Sequence, residues 1–184
     1  RMWIDPYRII TVQKRDTKSI NDVEKTVISN LAPKNSGDFL CLLLSAIFKR
    51  MGQILGSLDE VMEDVEEELI ENPNTDLRNK LTQIRKQAII FRRYMIPQRD
   101  LLNSLKSTNL KWLSDLHKRQ LQENYNHNMR YVEDLDAVRE RAQIVKDELS
   151  NLLSDRINKN MYILSVIAAI FLPLGFLTGL LGVN

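Results

Sequence analysis

Asp147, Asn151, Ser154 and Asn158 recur at spacings of four, three and four. On a helix that spacing lines up a carboxylate, two amides and a hydroxyl along one face. Such groups hydrogen-bond the water around a cation without stripping it, which is the chemistry of a hydrated ion path. The same residues also suit the solvent side of a coiled coil, and periodicity alone does not choose between the two. Carried onward, the stepping reaches Met161, Ser165, Ala168, Leu172, Gly175 and Gly179. The stripe thus fades from polar to small and apolar, and Leu172 with its neighbours would form a dewetting constriction in a pore.

Other chemistry-bearing residues are sparse. Asp59, Glu60, Glu63, Asp64, Glu66, Glu67, Glu68, Glu71 and Asp76 form an acidic run, and Arg78, Lys80, Arg85, Lys86, Arg92, Arg93 and Arg99 form a basic one. Surface pairing between two antiparallel arms is the first reading of these runs. The second is an acidic tip that raises the local concentration of divalent cations. His117 and His127 are ten residues apart, nearly three turns, so one helix cannot bring both to one ion. Both read as surface or interhelical residues, Cys41 between Leu40 and Leu42 as a small core residue, and Trp3 and Trp112 as packing residues. No Gly-x-Ser-x-Gly, HExxH or phosphate-loop pattern arranges groups for catalysis, so an enzyme is disfavoured. No tightly bound cofactor is expected either. Lys and Arg number 26 against 24 Asp and Glu, a net charge of +2 without the basic field that attracts nucleic acid.

The elements that position the stripe follow from period and composition. Met161 to Val183, 23 residues, carries no charge and follows Arg156 and Lys159. As a helix it spans about 34 Å, enough to cross a bilayer. The two bases put the preceding chain, up to about residue 160, on the cytoplasmic side. Pro173 and the small residues near Gly175 and Gly179 permit a bend or close helix approach. Upstream, apolar residues at helical spacing run from about Asp38 to Asn72. They resume after the NPNT turn from Leu77 to Leu105, which predicts an antiparallel helical hairpin whose seams face each other, with Pro97 bending or ending its second arm. A third helix starts near Ser114 and continues without a stop into the apolar run, with Tyr131, Leu135, Val138, Ala142, Val145, Leu149 and Leu152 as its packed stripe. Met2 to Ile4 and Arg8 to Arg15 read as strands. Ser19 with Asp22 resembles a capping box opening a short helix from Ile20 to about Leu31.

The predicted fold is therefore mainly α. Residues 1–33 are read as the end of a cytoplasmic α/β domain, 34–113 as the helical hairpin, 114–160 as a stalk helix, and 161–184 as a first transmembrane helix, with a second transmembrane helix absent. A chain that opens on Arg1 and stops on Asn184 reads as a piece of a longer protein.

The ending NMYILSVIAAIFLPLGFLTGLLGVN, closing on Gly182-Val183-Asn184, resembles the first transmembrane helix and Gly-x-Asn signature of the CorA superfamily of divalent metal-ion transporters. FLTGL and FRRYMIPQRD, Phe91 to Asp100, are closer to its ZntB branch of bacterial zinc transporters. The resemblance implies a homopentamer in the bacterial inner membrane that moves zinc by proton-coupled uptake; because charge and hydrated size discriminate only modestly, nickel, cobalt, cadmium or magnesium are expected as further ions. It matches Asn184 to the outer selectivity ring and Gly182 to the turn there. Asn158 matches the inner pore, Leu164 and Leu172 the hydrophobic constriction, Gly175 a small pore position, and Asp147 an ion-sensing stalk acid and candidate metal contact. Leu181 and Val183 stand where the magnesium branch has tyrosine and methionine. The alternatives are a magnesium/cobalt channel of the CorA type and a membrane-anchored coiled-coil structural protein.

Overall fold

A computed structural model describes residues 2–13, 17–29 and 32–182 of the protein. Strands β1 (Met2–Ile4) and β2 (Ile9–Thr11) pair antiparallel with Trp3 opposite Ile10. Asp5 closes their turn by accepting the backbone N–H groups of Tyr7 and Arg8, both at 2.8 Å. Trp3 is half exposed and lies under the Arg8 guanidinium, 5.0 Å from its ring centroid, so it is not a core residue.

Helix α1 (Lys18–Ile28) begins two residues earlier than the Ser19 and Asp22 pattern predicts and ends at Ile28, short of Leu31. Asp22 does not cap it. Its carboxylate instead holds Arg50 through both Nε (2.5 Å) and Nη2 (2.7 Å), tying α1 to the next helix. Three long helices follow: α2 (Ser36–Glu71), α3 (Asp76–Ser107) and α4 (Asp115–Leu180). Asn35 caps α2 by accepting the N–H of Asp38 at 2.9 Å, and Ser36 donates to the Asp5 carbonyl at 2.7 Å, which anchors the strand pair to the bundle.

The expectation of one helix long and apolar enough to cross a membrane is corrected: there are two. Besides α4, whose most apolar window has a mean hydropathy of 2.3, the 36-residue α2 reaches 1.5 over its most apolar 18 residues. The cause is the stretch FLCLLLSAIF, residues 39–48, which carries no charge. The two differ in surroundings. The α2 window is 28% buried inside the protein, with Leu40, Cys41, Leu43 and Phe48 in the core, whereas no residue of the α4 window is buried.

The packing also revises the hairpin. α2 and α3 run antiparallel, but each shares more of its apolar face with α4 than with the other arm. Leu121, Leu135, Val138, Ala142, Val145 and Leu149 of α4 meet Met62 and Val65 of α2 and Leu81, Ile84, Ala88 and Met95 of α3 in one core. The stripe of α4 holds as predicted from Leu135 to Leu149. Beyond it Leu153, and not the exposed Leu152, packs on the core.

Both internal prolines are carried without interrupting helix. α3 continues through Pro97 and α4 through Pro173. Near Pro97, where the backbone lacks one donor, the fully buried Asn128 of α4 donates to the Met95 carbonyl at 3.2 Å.

Candidate functional site

The core stripe of α4 recurs at 135, 138, 142, 145 and 149, and a helix of 3.6 residues per turn sets positions 147, 151, 154 and 158 on the opposite side. All four predicted polar residues are exposed in the single chain. Asp147 accepts from Gln143 Nε2 at 2.8 Å, and Gln143 accepts in turn from Arg85 of α3 at 2.5 Å. Ser154 turns its hydroxyl back to the Ser150 carbonyl at 2.8 Å. Of the stripe, then, Asp147 alone is linked to a neighbouring helix. Sequence reasoning missed that link because Gln143 lies off the stripe.

Further along α4, Leu164 and Leu172 are 63% and 74% exposed, and nothing lies within 4 Å of a Cβ built on Gly175. A helix with apolar side chains bare on every side is in the state a bilayer or other copies would cover. The helix ends at Leu180, and Gly182 adopts φ 63°, the left-handed conformation that closes helices and favours glycine. Asn184 and Val183 lie outside the described residues.

The other candidates separate clearly. His117 is buried, caps α4 in a capping box with Ser114, and joins α4 to α2. Its Nδ1 accepts the Ser114 N–H at 3.2 Å, so Nε2 carries the proton and donates it to Asp38 Oδ1 at 2.8 Å. An alanine Cβ at Gly37 would overlap this clamped imidazole, which accounts for the glycine. The signal in the sequence was the spacing Ser114-x-x-His117, which fits a cap as well as Ser-x-x-Glu does. His127 is exposed, with its ring 6.2 Å from that of Tyr131. Cys41 is in the core, where burial and then the nearby Asp38 charge push its thiol up to about 11, far from a reactive thiolate.

The hydrogen bond from His117 holds the Asp38 carboxyl below its ordinary value, with the Lys34 N–H adding to the effect. A carboxylate with a lowered folded pKa contributes stability above its unfolded value, near pH 4, and loses it as pH falls through the lower folded one. Asp38→Asn should therefore flatten the acid limb of thermal stability below about pH 4. Melting the full-length protein and this variant across that range checks it, and parallel curves would remove Asp38 from the acid response.

Acid and base do not pair mainly across the hairpin, as the two runs predicted. Glu68 with Lys80, at 2.5 Å, joins α2 to α3. The stronger cluster is Arg141 of α4 between Asp59 and Glu66 of α2, each at 2.7 Å, and Arg92 of α3 binds Asp136 of α4 at 2.8 Å. α4 intervenes between the arms and takes their charges. Among the described residues no three His, Cys, Asp or Glu side chains converge as a metal cage, Asp147 included.

The family described as CorA-like Mg2+ transporter protein matches residues 1–184. The chain belongs to the CorA family. This CorA-family chain is also related to the ZntB-type zinc transporters. It is 35% identical over 184 residues to the zinc transport protein ZntB of Yersinia enterocolitica, covering 100% of this chain and 56% of that protein. ZntB of Pectobacterium atrosepticum is 34% identical with the same coverage. The chain thus spans little more than half the length of these relatives. Among solved structures, the full-length CmaX protein superposes with a TM-score of 0.90 at 28% identity, over 100% of this chain and 56% of that one. The CorA magnesium transporter of Methanocaldococcus jannaschii superposes at 0.85 over 100% and 59%, a likeness of fold at 22% identity. The CorA family is one of transporters and not of enzymes.

Proposed function

We propose that the protein containing this chain moves divalent cations, zinc first among them, across the bacterial inner membrane as a homopentamer. The carrying observation is α4, a single 66-residue helix that leaves a packed bundle, bears a polar stripe, and runs on as an exposed charge-free apolar stretch. In this reading residues 1–33 close a cytoplasmic α/β domain, 34–113 form the hairpin, 114–160 the stalk, and 161–184 the stretch that crosses the bilayer. Everything before about residue 160 is cytoplasmic.

Five copies of α4 around an axis would set rings of Asp147, Asn151, Ser154 and Asn158 on the inner, hydrated part of the path. Amide and hydroxyl rings exchange hydrogen bonds with an ion's water shell and leave it in place. Leu164 and Leu172 would then narrow the path with apolar side chains, where removing water raises the barrier to ions. Gly175 leaves room beside that constriction, Gly182 turns the chain, and Asn184 presents its amide at the outer mouth. Tight zinc coordination needs Cys, His or carboxylate sets, and the run from Asn160 to Asn184 has none. That supports passage of a hydrated ion and admits nickel, cobalt, cadmium or magnesium as poorly excluded competitors.

Zinc as cargo is supported by the relatives named zinc transport protein and by the FLTGLLGVN ending. The test is uptake by the full-length protein in vesicles carrying fluorescent zinc and pH reporters, with and without an imposed proton gradient. Zinc entry that quickens when protons enter alongside it is the expected result. Strong magnesium flux without zinc flux would overturn the choice of ion, and zinc flux indifferent to the gradient would reject the coupling alone.

A further inference from the structure

The outer face of α4 separates two flanks of opposite charge. On the α2 side, Asp59 and Glu66 reach Arg141 of α4, and Glu63 lies in the same row of α2 at helical spacing. A groove between these helices is lined by Gly56, Asp59, Asp134, Ala137 and Arg141. On the α3 side, Arg85 and Arg92 bind Gln143 and Asp136 of α4. Lys86, Ile89 and Arg93 lie further around α3, away from the core, and are exposed.

The single chain leaves both flanks with surplus charge. Among the described residues Glu63, Asp134, Lys86 and Arg93 form no ion pair, and all four are exposed. Burial, and then the charges of Asp59 and Glu133, hold the Asp134 carboxyl above its ordinary value, and Arg130 offsets this only in part. The flanks also match in height. Along α4, Arg141 stands level with residues 59–66 of α2, and Gln143 and Asp136 with Arg85 and Arg92 of α3. Glu63 and Lys86 therefore share one level, and Asp134 and Arg93 another about two turns, or roughly 10 Å, below it. Copies related by rotation about an axis along α4 keep their height, so level residues on opposite flanks are the ones that meet.

We infer that the acidic α2 flank of one copy docks on the basic α3 flank of the next, Glu63 against Lys86 and Asp134 against Arg93. Ile89, 48% exposed, then lies over the floor at Gly56, where nothing stands within 4 Å of an added Cβ. The inference rests on the homopentamer reading and names the surfaces that close that ring. Docking flank to opposite flank is head-to-tail and leaves the stripe from Asp147 to Asn158, which lies between the flanks, turned to the axis. A contact between like flanks would set surplus charges of one sign together.

The experiment uses the full-length protein in detergent micelles, in a background free of other cysteines, with a short thiol-to-thiol cross-linker. Glu63→Cys with Lys86→Cys in one chain should give a ladder of linked chains up to the size of the ring, whereas either substitution alone leaves single chains. The two single variants assembled together should link as pairs and go no further. Adding Arg93→Glu to the double variant should slow linking roughly fivefold, and Asp134→Arg added to that should restore the rate. Linked pairs from either single variant alone would mean that like flanks meet, and a ladder indifferent to both reversals would mean that charge does not join them. Each result overturns the inference. Sedimentation of the unlinked protein separates the remaining failures: oligomers that give no ladder overturn the flank contact alone, and single chains sink the ring with it.

Discussion

Leu135→Ala is expected to destabilise the protein by about 2 to 5 kcal/mol, the range for truncating a buried leucine whose surroundings cannot collapse into the void. Leu135 has no exposed surface and sits on α4 in the core that α2 and α3 both share. Its loss opens a cavity between all three helices and not between two, so no single helix can shift to close it. Leu135→Met conserves volume and should cost less than about 1.5 kcal/mol. Thermal or chemical denaturation of the full-length variants measures both. A small effect of Leu135→Ala would mean that the three-helix junction is looser than its burial indicates.

Asn184→Ala is expected to cut zinc flux in the full-length protein by roughly tenfold or more, while membrane insertion and assembly persist. On the proposed reading that Asn184 rings the outer mouth, each amide would contribute about 1 kcal/mol of hydrogen bonding to a hydrated ion, and about 1.4 kcal/mol of lost stabilisation is tenfold in rate. A ring that loses several such bonds together reaches that threshold even after water replaces part of them. Asn184→Gln keeps the chemistry but moves it by one methylene, so it should fall between alanine and the native residue. Flux in reconstituted vesicles, normalised to assembled protein, decides the matter. Native flux through a correctly assembled alanine variant would remove Asn184 from the path.

The presence of two strands, the approximate extents of the three long helices and most of the apolar stripe on α4 could be read from residue order, because period and turn chemistry are local. Ser114 capped the start of α4, the NPNT turn parted α2 from α3, and the charge-free run from Met161 followed from composition. Less legible were features in which one residue answers to two masters. Asp22 has the spacing of a capping residue but gives its carboxylate to Arg50, because a bidentate ion pair across two helices outweighs a single local hydrogen bond. FLCLLLSAIF makes α2 apolar enough to cross a membrane by composition alone, yet Leu40, Cys41, Leu43 and Phe48 are core residues of the bundle.

What residue order determined by itself is which face of each long helix is apolar, roughly where the three long helices start, and that one stretch carries no charge over a bilayer's thickness. Which apolar face meets which was decided only by tertiary structure. A helical stripe specifies that a surface must be buried but not its partner, and α2, α3 and α4 carry stripes of similar width. Placing α4 against both arms redirected Arg141 to Asp59 and Glu66 and Arg92 to Asp136, and it set His117 against Asp38 across 79 residues. Those pairings depend on distances between helices, which no spacing along one chain contains.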